Sequence, residues 1–379
     1  MTPRRSTVIA GGGTGGHIVP SLQIARAMVA RGHPAESIEL YGSRRGQEAV
    51  TWPTLEFPYT LLPGRGIKRS LQPAALVANA GAVLGIAWAC LRALGSFLAR
   101  RPRVVVIVGG YASFPAGLAA VLTRVPLVSM TTDAVPGAVN GLLGRFAAAN
   151  AVGFPGTDLP RAHVTGTPVR PELADLDRSQ QGKTRSRDVL GLPADRQTVA
   201  SMSGSLGARR VNRAVAELAA LWARCGTRAL YHVTGRRDYD DFAAPASSGE
   251  GAGAPDHLVY RVVPFEDDVP DFLTAADVCV TRAGAMTVAE LLLSGMPAVL
   301  VPLPGAPRDH QTRNAEAMVR MGAAVLVPDP QCDGARLAAE LDALLADPER
   351  LRAMGDAARA HAHPDAAARI AELVDSHAR

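Results

Sequence analysis

A short apolar strand that runs straight into a glycine-rich turn and then a helix occurs twice in this chain of 379 residues. The first copy is TVIAGGGTGGHIVPS at 7–21 and the second is TVASMSGSLGARR at 198–210. Glycines at such a turn admit positive φ and let the backbone approach a ligand closely. The helix that follows offers unpaired N–H groups to an anion. After the first copy come strand-like runs IELYG (38–42), VVVIVGG (104–110) and PLVSM (126–130). After the second come ALYHVTG (229–235), HLVYRVV (257–263), VCVT (278–281) and AVLVP (298–302). Continuous β-branched runs such as VVVIV belong to parallel strands covered on both faces. The expected class is therefore α/β, with two successive doubly wound sheets, and the length suits two such domains.

The join is expected near Thr165–Arg170, where Gly166 and Pro168 interrupt regular structure. The chain then divides into 1–165, 166–360 and a C-terminal helix, 361–379, able to pack back on the first domain. Helices are expected over 18–31, ending at Gly32, and over 208–223. Residues 171–196 lack strong periodicity, and 243–255 reads as a low-complexity loop.

Composition narrows the function classes. The net charge is +5 and the pI about 9.3, but no basic stripe is interleaved with aromatics, so nucleic acid is not an expected partner. Cys90, Cys225, Cys279 and Cys332 are scattered, without CxxC spacing. That argues against a zinc site or disulfide framework and fits a reducing cytoplasm. No signal-peptide h-region precedes the first strand. The stretch Ser70–Leu91 carries no charge and is long enough to span a bilayer. Its alanines partition weakly, and Gln72, Pro73 and Asn79 interrupt it. Two core helices explain it, and so does an apolar patch that follows Arg65, Lys68 and Arg69 and rests on an anionic membrane.

Chemistry is sought in the loops after strands. Gly11, Gly13 and Gly16 form a GxGxxG pattern, yet the second strand ends in Gly42-Ser43 rather than in the acid a dinucleotide site requires. His17, just after the glycines, is a candidate base, or a helix-start histidine bonded to backbone. The loop Gly204–Arg209 suits a phosphate, or is an ordinary turn with serine as cap. Thr287 and Glu290 have capping-box spacing; alternatively Glu290 accepts from ribose hydroxyls. The polar run Pro304–Asn314 can read sugar hydroxyls. Asp240-Asp241 and Asp267-Asp268 are adjacent pairs beside loops, not a metal-binding Asp-x-Asp. A nucleoside diphosphate held by helix N-termini, with no metal and no cofactor, is the coherent reading.

In order along almost the whole chain, GGGTGGHIVPSLQIARAM, GSRRGQEA, VGGYASFPAGLAA, VTGTPVR, SGSLGARRVN, PFEDDVPDFLTAADVCVTRAGAMTVAELLLSGMPAVLVP and DHQTRNA resemble the MurG family of glycosyltransferases. The resemblance implies the GT-B fold, two Rossmann-like domains facing across a cleft. It implies UDP-N-acetylglucosamine as donor and a polyprenyl-diphosphate-linked muramyl peptide as acceptor. It implies a cytoplasmic protein, and the patch at 65–91 would let such a protein rest peripherally on the inner face of the cell membrane. Gly13, Thr14, Gly15, Gly16, His17 and Tyr111 would form the acceptor-phosphate loop, with His17 and Asp133 catalytic. Arg170 and Ser205 would approach the donor phosphates, Phe265 and Glu266 flank the uracil, Met286 and Thr287 cover the diphosphate, and Glu290 hold the ribose. His310, Gln311 and Asn314 would surround the transferred sugar. One motif departs: the family's His-Glu-Gln-Asn run is Met130-Thr131-Thr132-Asp133 here. Asp133 can accept hydrogen bonds but not donate them. This leaves open a paralogue that glycosylates a secondary-metabolite acceptor. A UDP-sugar 2-epimerase and a non-catalytic nucleotide binder are further alternatives.

Overall fold

The computed structural model of the chain describes residues 7–13, 15–64, 73–204, 207–247 and 256–379. They form two compact units, Met1–Arg170 with His363–Arg379, and Pro171–Ala362.

The first unit is built on a seven-stranded parallel sheet of order β3-β2-β1-β4-β5-β6-β7. Its strands are β1 (Thr7–Gly11), β2 (Ile38–Ser43), β3 (Tyr59–Leu62), β4 (Val104–Gly109), β5 (Leu127–Thr131), β6 (Ala149–Val152) and β7 (Ala162–Val164). The second unit has six parallel strands in the order β10-β9-β8-β11-β12-β13. These are β8 (Gln197–Met202), β9 (Arg228–Val233), β10 (Val259–Val263), β11 (Val278–Thr281), β12 (Ala298–Leu300) and β13 (Ala324–Leu326). In each sheet the order reverses beside its first strand, between β1 and β4 and between β8 and β11. Two doubly wound sheets of this order in one chain are the GT-B architecture, and each has its switch point where a glycine turn ends the first strand.

The β-branched runs sit where their composition requires. Val104, Val105, Val106 and Ile107 are fully buried, because helices cover both faces of β4. The C-terminal helix Ala366–His377 belongs to the first unit. Its Ile370, Ala371 and Val374 share a core with Ile9, Ile24 and Val106. Arg31 and His33 meet Asp375 at 2.8 Å each and fasten the same helix at its rim.

Four local expectations change. Residues 243–247 belong to a helix, Tyr239–Ser247, rather than to a loop, and 248–255 lie outside the described residues. Residues 73–91 do not form two core helices; one helix runs from Pro73 to Arg100. Ala82, Ala89, Ala93 and Phe97 line its buried face, while Leu84, Trp88, Leu91 and Leu98 lie on the other face, 58–72% exposed. Within 171–196 a helix forms over Gln180–Val189, where the Ser179 side chain accepts from Gly182 N–H and caps it. Strands β3, β6, β7 and β13, of three or four residues, were not expected. Lone runs that short show no alternation to read.

Candidate functional site

In the first unit, β1 delivers the glycine turn to the switch point. Its glycines answer close approaches. A Cβ on Gly11 would lie 2.5 Å from Ser21 Oγ, one on Gly12 would lie 2.2 Å from Glu48 Oε1, and Gly13 has φ +92°. The helix Gly15–Ala30 begins at once, with His17 as its third residue and Ser21 Oγ donating to His17 O at 2.7 Å. The end of β4 answers from the other side of the switch point. Gly109 (φ +117°) and Gly110 (φ +74°) face the His17 ring, and a Cβ on Gly109 would be 3.0 Å from Nε2. Only glycine fits both the left-handed backbone and the imidazole beside it. Tyr111 follows; its hydroxyl donates to Ser43 Oγ at 2.9 Å, and its ring flanks Gly13.

The departing run is placed unevenly. Met130, Thr131 and Thr132 are buried, whereas Asp133 is half-exposed. Asn140 is buried beneath them and donates from Nδ2 to Met130 O (2.7 Å) and Thr131 Oγ1 (2.9 Å). Its Nδ2 also lies 3.6 Å from the same point above Gly109 that the His17 ring crowds. Asn140 is not among the site candidates of the motif reading. Thr14 lies outside the described residues.

In the second unit, the turn after β8 contains Gly204 and Gly207 at φ +78° and +76°. A Cβ on Gly207 would lie 1.9 Å from Thr234 O, so the turn is pressed against the end of β9. Ser205 lies outside the described residues. Behind the turn runs a buried polar chain: Asn212 Nδ2 donates to Thr234 O, and its Oδ1 meets His232 Nε2 at 3.1 Å. His232 Nδ1 meets Tyr260 Oη at 2.9 Å. Burial holds the His232 imidazole down to about 3, so it is neutral. The amide oxygen can only accept, so Nε2 carries the proton and Nδ1 accepts from Tyr260.

The helix Ala285–Ser294 opens at the other side of this switch point. Its N-cap is Gly284, without a side-chain cap, and Thr287 lies inside the helix. The capping-box explanation of Thr287 and Glu290 therefore fails. Met286, Thr287 and Glu290 all lie within the first two turns and are half-buried. Asn314 Nδ2 donates to Ala283 O at 3.1 Å and ties this turn to the helix His310–Arg320. Ahead of that helix, Arg308 (φ +57°) and Asp309 (φ +52°) are both left-handed without being glycine. Each such residue costs about 1–2 kcal/mol, strain of a kind found at ligand-binding loops. His310 Nδ1 donates to Pro307 O at 2.8 Å, which leaves Nε2 as the acceptor of the neutral ring. Gln311 Oε1 accepts from Leu303 N–H at 2.9 Å, which leaves its amide hydrogens to donate outward.

At the turn after β10, Glu266 accepts from Tyr231 Oη (2.6 Å) and from Asp268 N–H (2.8 Å). Its carboxylate thus shapes the turn, and burial, with the hydrogen bond to Glu266 second, pushes the Tyr231 phenol well above its usual range. Phe265 lies under the Arg236 guanidinium, 4.5 Å from the ring centre. Half-exposed Arg170 is the last residue of the first unit's long segment. Among the described residues no group of three or more His, Cys, Asp or Glu is placed to hold a metal.

Comparison with known proteins adds the following. The glycosyltransferase family 28 N-terminal domain matches residues 7–152, and the family's C-terminal domain matches 198–370. A protein of Desulforudis audaxviator strain MP104C is 38% identical over 377 residues, 97% of each chain. One of Alkalilimnicola ehrlichii is 37% identical over 374 residues, 98% of this chain and 99% of its own. Both bear the name UDP-N-acetylglucosamine–N-acetylmuramyl-(pentapeptide) pyrophosphoryl-undecaprenol N-acetylglucosamine transferase. The crystal structure of Acinetobacter baumannii MurG superposes with a TM-score of 0.78 at 25% identity, over 99% of this chain and all of that one.

Proposed function

Because the chain belongs to glycosyltransferase family 28 and to its MurG group, we propose that it moves N-acetylglucosamine from UDP-N-acetylglucosamine onto N-acetylmuramyl-(pentapeptide) pyrophosphoryl-undecaprenol. The observation that carries this reading is a helix N-terminus at the switch point of each sheet, that of Gly15–Ala30 after the glycine turn of β1 and that of Ala285–Ser294 after β11. Each suits one of the two diphosphates the reaction needs.

The donor belongs to the second unit. The amides that open the helix Ala285–Ser294, with Met286 and Thr287, take the diphosphate; Glu290 takes the ribose hydroxyls. Phe265 and the Glu266 turn flank the uracil, Arg170 and Ser205 meet the phosphates, and His310 and Gln311 read the sugar. The acceptor diphosphate belongs to the turn Gly13–His17, beside Tyr111. An acceptor hydroxyl loses its proton to His17, or to Asp133, as its oxygen attacks the anomeric carbon with inversion. The bond from that carbon to the UDP oxygen breaks, and the helix amides stabilise the charge that UDP carries away.

The acceptor's lipid calls for a surface. The exposed stripe Leu84, Trp88, Leu91 and Leu98, on a stretch (Asn79–Arg100) long and apolar enough to cross a membrane, is the face we assign to the inner leaflet. Arg65, Lys68 and Arg69, just before it in sequence, lie outside the described residues. The protein would then work in the cytoplasm, peripheral on the inner face of the membrane.

Purified protein given radiolabelled UDP-N-acetylglucosamine and a lipid-linked muramyl-pentapeptide analogue should yield the disaccharide-lipid. Tight UDP binding without transfer to that acceptor would overturn the reading. It would favour the second one, a secondary-metabolite acceptor, which Asp133 at the position of the family's asparagine supports. Asp133→Asn then checks whether sugar choice depends on that position.

A further inference from the structure

GSRRGQEA (42–49) matches the family, yet none of its side chains has a role in the reading above. Within it, Glu48 is fully buried although it opens a helix of only four residues, Glu48–Thr51. Its partners are backbone amides rather than a cation. Gly13 N–H donates to Oε1 (3.1 Å) and Oε2 (3.0 Å), and Ser43 N–H donates to Oε1 at 2.8 Å. The chain makes room for this carboxylate from three sides. A Cβ on Gly12 would lie 2.2 Å from Oε1, one on Gly46 would lie 1.9 Å from Oε2, and one on Gly42 would lie 2.7 Å from Cγ. Ser43 carries the linkage onward, since its Oγ accepts from Tyr111 Oη and from Arg45 N–H. One buried carboxylate thus joins the turns that end β1, β2 and β4.

We infer that Glu48 is the positioning residue of the acceptor half-site: it holds the glycine turn in the shape that presents His17 and the first helix amides, and couples that turn to Tyr111. This rests on the reading above for the reaction, though not for the hold on the turn. A corollary is that the Gly13 N–H, already bonded to Glu48, is no donor to the acceptor diphosphate. The amides from Gly15 onward do that work. A buried carboxylate beside an anion site works against anion binding. Its presence is understandable if the two amides it satisfies would otherwise be left unpaired in the interior.

The test uses the full chain and two variants that disturb the carboxylate differently. Glu48→Gln keeps the shape but sets an NH2 group against Gly13 N–H. Gly46→Ala leaves Glu48 in place but drives a methyl into its carboxylate, since the three nearest atoms to that Cβ are all Glu48's. Both should raise hydrogen exchange of the 8–17 peptide at least tenfold. Both should lower kcat at least tenfold and raise the acceptor KM, with the UDP-N-acetylglucosamine KM and the UDP Kd within twofold of wild type. Val50→Ala, 79% exposed on the same short helix, should change none of these. A structural defect alone would move thermal stability and donor binding together. Unaltered exchange in both variants overturns the inference, and so does faster exchange with unaltered kcat in an active enzyme. An inactive wild type instead defeats the proposed reaction, while the exchange measurement still decides whether Glu48 holds the turn.

Discussion

Gly109 joins backbone conformation to chemistry. Its φ of +117° excludes a side chain, and the space above it belongs to the His17 ring. Gly109→Ala should therefore both strain the turn and displace the imidazole. The expected outcome is a fall in kcat of at least tenfold with UDP affinity unchanged, measured by steady-state kinetics and calorimetry. A variant of normal kcat would remove His17 from the reaction. His232 offers a second test, of stability. Its pKa is about 3 in the fold, below the ordinary 6.5, so between those values the unfolded chain binds more protons. The stabilisation is complete above pH 6.5 and is lost as the pH falls toward 3. The second unit's melting temperature should drop through this window, each kcal/mol being about 2–4 °C for a unit of this size. His232→Gln should flatten that part of the profile, and an undiminished slope would assign the acid sensitivity to other groups.

Among elements, the helix Pro73–Arg100 divides its residues most sharply. Alanines and Phe97 face the core, and Gly85 lets it approach Gly64, where a Cβ would lie 3.2 Å from that Cα. The outward stripe of Leu84, Trp88 and Leu91 has no such partner in the core cluster of this layer. Replacing these three with serine should reduce co-sedimentation with anionic vesicles at least tenfold, while melting temperature moves by only a few degrees. Equal binding by the variant would exclude this face. That this is one helix was not legible in the sequence, because an alanine-rich run with interspersed glycines lacks both caps and a clear polar face. The glycine turns were legible, since a strand, a cluster of glycines and a helix start are all local signals. Glu48 was not: its meaning lies in amides five and 35 positions away, brought close only by the sheet. Thr287 was misleading for the reverse reason. Its spacing to Glu290 imitates a cap, whereas the helix starts two residues earlier, at Ala285.

At the scale of the molecule, the first unit is assembled from both ends of the chain, and the second from the segment between. Ile370, Ala371 and Val374 are fully buried in the first unit's core. A chain ending at Ala362 should therefore lose the first unit's melting transition, or shift it down by many degrees, and keep the second unit's. Calorimetry with UDP present would separate the two, since the ligand should raise only the transition of the unit that holds the donor. If both transitions survived the truncation unchanged, the terminal helix would be an ornament of the first unit rather than part of it.

The same arrangement sets an order of events on the ribosome. Domains ordinarily fold as they emerge, the leading one first, at about 5–20 residues per second. Here the leading segment stops at Arg170, and the helix that completes its core is made about 200 residues later, some 10–40 s at that pace. The middle of the chain can close its own core in that interval. Until the helix Ala366–His377 is made, the nascent protein can carry a finished second unit beside a first unit whose hydrophobic face still awaits that helix, so the chemistry we propose for the first unit should be acquired after that of the second.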